Sequence, residues 1–276
     1  MNTKILSSGT TALKLPTYFI SHGGGPWPWT PDWRKRFANL EASLAHIPAE
    51  LGEAPKAVLV VSGHWEEAEF IVMTAERPSM IYDYYGFPPE TYKIIYSAPG
   101  APDVADRTAA LISAAQIPLR RDKTRGFDHG AFTPLFIIYP DADVPVYQLS
   151  LKAGYDPALH MALGRAIAPL RDDGVLIIGS GLSYHNLGLF GPGAKEPSEA
   201  FDIWLNDQLT GLSGAARSRA IGAWEKAPFA RLCHPREDHL APLFVALGAA
   251  EDETATRTYH DTGLFGGVTA SSYRFG

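Results

Sequence analysis

Residues 57–65 read AVLVVSGHW, an apolar run followed by a serine, a glycine, a histidine and a tryptophan. The run is apolar almost throughout rather than at alternate positions, which is typical of a strand that is covered on both faces. Val175–Ile178 has the same character. Strands of this kind lie in sheets with helices packed on both sides, so these two segments predict an α/β fold.

The rest of the chain alternates short β-branched runs with longer amphipathic stretches. The further strands that we predict are Thr17–Ser21, Phe70–Thr74, Val144–Leu151 and Gly267–Phe275. Two predicted helices begin at Pro31 and at Pro157. Three more are predicted over Asp103–Ala115, Pro197–Leu212 and His239–Ala249. In the first helix, apolar residues recur every three or four positions, and Thr30 is a suitable N-cap. No linker interrupts the pattern, so we expect residues 1–276 to form a single domain with a central, mostly parallel or mixed sheet flanked by helices.

The composition restricts the classes of protein to which this chain can belong. Its 46% hydrophobic and 20% charged residues lie in the globular range, and its net charge of -6 argues against nucleic-acid and anionic-membrane partners. The opening MNTKILSSGT lacks the apolar core of a secretory signal, and the aliphatic runs are too short to span a bilayer. The single cysteine, Cys233, fits a reducing compartment and is best interpreted as a small buried residue. We therefore expect a soluble, cytoplasmic protein.

Three predicted strands run into a turn that contains glycine and ends on a histidine. His22 follows the first strand, His64 follows the strand in residues 57–62, and His185 follows the strand that begins at Val175. The carboxyl ends of parallel strands meet at one edge, where open α/β sheets bind their ligands. A single histidine is more often a packing or turn residue, but three at such ends favour a metal crevice, because imidazole ligands suit zinc, iron or copper.

Two more histidines lie in comparable settings. His129 follows a carboxylate and precedes a glycine in GFDHG, residues 126–130. His239 shares one face of its predicted helix with Leu243, so we expect its side chain to point inward. By contrast, His46 and His160 lie off the apolar faces of their helices and are expected at the surface.

Some patterns leave alternatives open. His234 precedes a proline and is equally compatible with a metal ligand and a turn histidine. The aromatic segment 82–89 is equally compatible with a pocket wall and a surface turn. The sequence HGGG at residues 22–25 also occurs in the oxyanion hole of some lipases, but the chain has no G-x-S-x-G nucleophile motif.

The histidine motifs together resemble those of a known family. They are SHGGGP at 21–26, SGHW at 62–65, GFDHG at 126–130, the segment GSGLSYHNL at 179–187 and DHLAPL at 238–243. The series resembles the class III extradiol ring-cleaving dioxygenases, and within them the DOPA 4,5-dioxygenase branch. The resemblance runs from about residue 17 to the C-terminus, with the motifs in order.

The resemblance implies a mononuclear metal site in a crevice at the strand ends. It implies that His22, His64 and His239 are ligands, where many class III enzymes have a glutamate in place of the third. His185 would be the acid/base residue and a further ligand in a zinc-loaded form, and His129 would bond substrate or oxygen. The implied activity is the opening of a catechol ring by O2 to a muconic semialdehyde. It would use Fe(II), with Zn(II) as the other candidate metal.

Other functions remain open at this point. A zinc-dependent hydrolase could use the same histidines, with Glu66 as its general base. A non-catalytic metal protein is less consistent with the sequence, because structural zinc sites are usually rich in cysteine. For a dioxygenase, the sequence leaves the catechol substrate open between DOPA-like amino acids, caffeate-like acids, protocatechuate and simple catechols. Arg125 and Arg236 are candidates to pair with a substrate carboxylate, although surface charges are the more common explanation.

Overall fold

A computed structural model of the protein describes residues 14–276. The segment in which we found no secretory signal, residues 1–10, lies outside the described residues. The strands are β1 (Thr17–Ser21), β2 (Ala57–Ser62), β3 (Glu66–Glu67), β4 (Phe70–Met73), β5 (Leu119–Asp122), β6 (Val146–Gln148), β7 (Leu151–Lys152), β8 (Val175–Gly181), β9 (Ala255–Leu264) and β10 (Val268–Phe275). The α-helices are α1 (Pro31–Arg36), α2 (Ala38–Leu51), α3 (Pro102–Ala114), α4 (His129–Ile138), α5 (Pro157–Ile167), α6 (Lys195–Gly211), α7 (Gly214–Gly222), α8 (Ala230–Cys233) and α9 (Ala241–Gly248).

The main sheet has six strands in the order β6-β2-β8-β1-β10-β9. The first four of these are parallel to one another. Strand β10 pairs with β1 in antiparallel orientation, and β9 pairs with β10 in the same way. The expectation of a mixed sheet flanked by helices is confirmed. Within residues 14–276, no helix is long and apolar enough to cross a membrane.

Strand β8 shows why the central strands are apolar throughout. Successive residues of a strand point to opposite faces of the sheet. A side chain at Gly179 would meet the Pro242 carbonyl of α9, whereas the next residue, Ser180, donates a hydrogen bond to the Gly130 carbonyl of α4. Helices α9 and α4 therefore cover opposite faces of the sheet, and every residue of β2 and β8 is buried between them.

The first predicted helix is divided in two. Helix α1 ends at Arg36, and α2 begins at Ala38 and buries Leu40 as the periodicity predicted. Thr30 occupies the N-cap position of α1, as predicted, but its side chain makes no cap bond; its hydroxyl donates instead to the carbonyl of Trp27 at 3.2 Å. The hydroxyl thus stabilises the turn before the helix rather than the helix itself.

The observed strand boundaries differ most from the predicted ones outside the buried centre of the sheet. The strand predicted over Val144–Leu151 is only three residues long in β6, and Leu151 pairs instead with the short β3. Strand β4 pairs with β5 in a separate small sheet. Strand β9 was not predicted, because it is an edge strand in which polar, mostly exposed residues interrupt the apolar pattern.

Candidate metal centre

Strands β2, β8 and β1 are neighbours in the sheet and end at the same level, so the residues that follow them meet at one edge. His22 and His64 follow two of these ends, as the sequence predicted. His239 reaches the same edge from the turn before α9, where its carbonyl accepts the Leu182 amide at 3.0 Å. A Cβ at Gly181 would collide with that carbonyl, so the glycine is what lets the turn approach the strand end.

The Nε2 atoms of three histidines converge at this edge. Nε2 of His64 lies 3.2 Å from Nε2 of His22 and 3.1 Å from Nε2 of His239. Nitrogen ligands lie about 2.0–2.1 Å from a zinc ion, so two ligands at octahedral or tetrahedral angles are about 2.9–3.4 Å apart. The spacing of the three nitrogens therefore fits a single bound metal ion.

A hydrogen-bond chain fixes the tautomer of His22. Ser180 Oγ gives its proton to the Gly130 carbonyl, so it accepts from Nδ1 of His22, 3.1 Å away. With its proton on Nδ1, the imidazole presents an unprotonated Nε2 to the centre of the cluster. A metal ligand needs that tautomer.

Asp83 orients two histidines at once. Its Oδ2 lies 3.1 Å from Nδ1 of His64, and its Oδ1 accepts from Nδ1 of His129 at 2.8 Å. Burial by itself would raise the pKa of Asp83, but the hydrogen bond with His129 and the two neighbouring imidazoles lower it to about 2. The carboxylate therefore stays ionised and can only accept, which leaves Nε2 of His64 free for a metal. Asp83 was not predicted as a site residue; it lies within the aromatic segment 82–89, for which a pocket wall was one of the two interpretations.

Asp238 lies between the remaining two histidines of the crevice. Its carboxylate oxygens are 3.3 Å from Nδ1 of His239 and 3.6 Å from Nδ1 of His185. The His185 ring stacks on the His239 ring, with 3.4 Å between the ring centroids. The Nδ1 atoms of both histidines form a second cluster with Asp238, which shares His239 with the cluster of converging Nε2 atoms from His22, His64 and His239.

The three converging histidines are neutral at neutral pH. Burial and the neighbouring imidazoles lower the pKa of His22 well below its usual value. Burial lowers the pKa of His64 to about 4 and that of His239 well below the ordinary histidine range. Neutral imidazoles are the form that binds metal ions.

Asp128 is a buried support beneath the centre. It accepts the Ser62 hydroxyl at 2.7 Å, and that hydroxyl accepts the backbone amide of His64 at 3.1 Å. Its other oxygen accepts from Gln148 and Arg125, each at 2.8 Å. Arg125 is thus paired inside the protein and does not line the cavity described below.

Two charged candidates from the sequence lie outside the crevice. Glu66 accepts the Tyr155 hydroxyl at 2.5 Å and is paired with Arg236. Neither Glu66 nor Arg236 lines the cavity. The general base required by the hydrolase alternative is therefore not positioned at the histidine cluster.

The histidine cluster forms the floor of a cavity of about 750 Å³. His22, His64, His129, His185 and His239 all line it. Its walls are mainly aromatic and aliphatic, contributed by Trp33, Phe37, Tyr84, Tyr85, Phe87, Pro88, Leu182, Leu187, Phe190, Leu264, Phe265 and Val268. Of the two interpretations of the segment 82–89, the pocket wall is therefore the one that the structure supports.

The remaining histidines lie away from this cavity. His46 is exposed, as predicted, with 67% of its side chain accessible. The surface prediction for His160 is wrong: it is fully buried, and its Nε2 accepts the Lys152 amide at 3.2 Å. His234 is also buried, and its Nε2 donates to the Ser183 carbonyl at 2.9 Å, which is a structural role.

Comparisons with known proteins agree with one another. Residues 18–276 match the family described as the catalytic LigB subunit of aromatic ring-opening dioxygenase. The chain is 39% identical to a 4,5-DOPA dioxygenase extradiol of Beta vulgaris, over 94% of this chain and 96% of that protein. It is 36% identical to the dioxygenase tasH of Hapsidospora irregularis, over 95% of this chain and 85% of that protein. A solved structure of an uncharacterized protein from Escherichia coli K12 aligns with a TM-score of 0.75 at 28% identity, over 95% of this chain and 99% of that one.

Proposed function

The chain belongs to the LigB family of aromatic ring-opening dioxygenases, and we propose that it opens the ring of DOPA or a related catechol with O2, giving a muconic semialdehyde. We propose further that residues 1–276 act as one catalytic domain. The observation that carries the proposal is the convergence of three Nε2 atoms on the floor of a cavity with aromatic walls, where Nε2 of His64 lies 3.2 Å from that of His22 and 3.1 Å from that of His239.

His22, His64 and His239 are the proposed metal ligands. Each lies at the end or beside the end of a central strand; a hydrogen bond to Ser180 orients His22, and a 3.1 Å contact with the Asp83 carboxylate orients His64. Fe(II) is the proposed metal for activity, and Zn(II) is a second metal that such a donor set would hold. When bound, Fe(II) supplies the redox chemistry that allows O2 to react with a catechol.

His185 is the proposed acid/base residue. It lines the cavity beside the ligands, and its Nδ1 faces Asp238, which leaves Nε2 to exchange protons with substrate. In this role, Nε2 takes a proton from a catechol hydroxyl and later returns one to the product. General acid–base catalysis of this kind contributes typically about 10²–10⁴-fold. Its use as a fourth ligand in a zinc-loaded form remains a prediction.

His129 is the proposed partner of bound substrate or oxygen. Its Nδ1 is held by Asp83 at 2.8 Å, so Nε2 is the atom left for a ligand in the cavity. The Asp83 carboxylate thereby fixes the orientation of His129 relative to His64, whose ring centroid is 3.9 Å away. A partner held in place before substrate arrives needs no reorganisation during the reaction.

The decisive test is oxygen uptake after anaerobic reconstitution with Fe(II), measured with a panel of catechols and with a zinc-loaded control. We expect uptake matched by an equal amount of a yellow ring-opened product, and only in the iron-loaded protein. Oxygen-independent cleavage of an ester or lactone by the zinc-loaded protein, with no oxygen uptake in any sample, would instead establish the hydrolase.

A further inference from the structure

The cavity above the histidines has a composition that selects among catechols. We infer that the preferred substrate carries an extended apolar side chain without a carboxylate, and that this chain lies along the aromatic wall. This inference rests on the proposed ring cleavage and concerns the part of the substrate that does not react.

The size of the cavity leaves room for such a side chain. A cavity of about 150 Å³ is enough to hold benzene. The cavity here is about 750 Å³, so a catechol ring on the histidine floor fills only a fraction of it. The remaining space is available to a substituent on the ring.

The wall that encloses this space is a continuous aromatic surface. The Trp33 ring lies 5.3 Å from that of Phe87 and 5.7 Å from that of Phe265, measured between centroids. Phe190 extends the wall outward, 4.8 Å from Phe265. Such a surface mainly offers burial of apolar area, with the Trp33 indole N–H as its one hydrogen-bond donor, and so favours an apolar chain over a polar one.

The apolar surface continues to the mouth of the cavity. Tyr85 is 90% exposed, Leu187 68% and Phe190 40%, and all three line the cavity. Exposed apolar side chains that are grouped around a pocket usually belong to a ligand-binding or interaction site. A substrate chain that reaches the mouth would cover them.

The charges around the cavity oppose a carboxylate. Among the described residues that line it there is no lysine or arginine. The lining carboxylates are Asp32, which is exposed, and Asp83, which is already paired with His64 and His129. Arg36 stacks on Phe265 at 5.1 Å but is not among the lining residues. A carboxylate on the substrate would therefore lose water without gaining a cationic partner.

The first experiment compares two series of catechols on the iron-loaded protein. One series has straight alkyl chains from methyl to pentyl, and the other has chains of the same length that end in a carboxylate. We expect kcat/KM to rise with each methylene, by up to about fourfold, and the carboxylates to be about tenfold poorer than alkyl chains of equal length. Carboxylates that react as well as their alkyl counterparts, L-DOPA included, would overturn the inference.

A pair of variants locates the effect on the wall. Phe190→Ala should lower the ratio of kcat/KM for pentylcatechol to that for catechol by about fivefold. Phe229→Ala is the matched control, because Phe229 is 43% exposed, similar to Phe190, but does not line the cavity. The control should keep the wild-type ratio. If Phe190→Ala also keeps it, the side chain does not lie along this wall.

A binding measurement separates this inference from the proposed reaction. Alkylphenols and carboxylate-ended phenols of equal length are titrated calorimetrically into the metal-free protein. Tighter binding of the alkylphenols supports an apolar substrate chain even if no catechol is cleaved, in which case only the proposed reaction fails. Tighter binding of the carboxylates refutes the inference whether or not ring cleavage occurs.

Discussion

Oδ2 of Asp83 lies 3.1 Å from Nδ1 of His64, while the second oxygen of the same carboxylate accepts from His129. One side chain thus sets the tautomer of a proposed ligand and the orientation of a proposed substrate partner. Such outer carboxylates raise the basicity of a ligand and hold its ring in place.

Asp83→Asn should weaken metal binding by about 10–100-fold, because the amide cannot act as an ionised acceptor for the two imidazoles. The measurement is competition with a chelator of known affinity. Asp106→Asn is a suitable control, since Asp106 is exposed and pairs only with Arg121 among the described residues. Equal metal affinities in both variants and the wild type would contradict the role given to Asp83.

Alanine substitutions should separate the ligands from the acid/base residue. His22→Ala and His64→Ala should lose bound metal and activity together, because two imidazoles remain of the three that converge. His185→Ala should keep the metal and lose about 10²–10⁴-fold in kcat. Metal content by mass spectrometry and steady-state kinetics measure both effects, with the exposed His46→Ala as control. A His185→Ala protein without metal would show that His185 is primarily a ligand.

Gly181→Ala should destabilise the fold by about 1–3 kcal/mol and lower metal affinity, because the added methyl group would displace the His239 carbonyl. Gly211→Ala is the matched control: a Cβ there meets no atom within 4 Å. At the end of helix α6 this control should leave stability unchanged or raise it by up to about 1 kcal/mol. Denaturant unfolding with and without metal distinguishes the two variants. The contact would be unimportant if both had the same midpoint.

Cys233 should not react with thiol reagents in the folded protein. Its side chain is fully buried, and burial raises the pKa of the thiol to about 12, so the reactive thiolate is scarce at any pH below that value. We expect no colour with a disulfide reagent at pH 8 and one equivalent after unfolding in guanidinium. Rapid reaction in the native state would mean that the segment around α8 opens readily.

The sequence was most informative where the chain is most buried. The apolar strands β1, β2 and β8 were predicted correctly, because complete burial leaves a run without polar interruptions, and the histidines that follow them lie at one edge of the sheet as expected. His160 was misplaced because helical periodicity alone assigned it to the surface. His160 is buried against Phe70, whose ring centroid is 5.2 Å away, and bonds the backbone amide of Lys152. Contacts of that kind are made by segments distant in sequence.

The same limit applies to the site. Asp83 lies in a loop without regular secondary structure, and nothing local distinguishes it from other carboxylates of the chain. Asp83 can contact His64 and His129 only because the fold brings that loop close to the end of β2 and the start of α4. Likewise, the sequence offered Arg125 as a candidate partner of substrate, but its pairing with Asp128 could be established only from the folded structure.

The position of β1 between β8 and β10 affects the order in which the protein can fold during its synthesis. The first strand of the described chain pairs with residues as late as Phe275, and His64 meets a histidine 175 positions further on. A chain that emerges from the ribosome N-terminus first therefore holds β1 without either neighbour through most of its synthesis. The metal-binding edge cannot be complete before His239 is synthesised, and β1 keeps a free edge until β10 follows, so a chain truncated before His239 would have both a free strand edge and an incomplete centre.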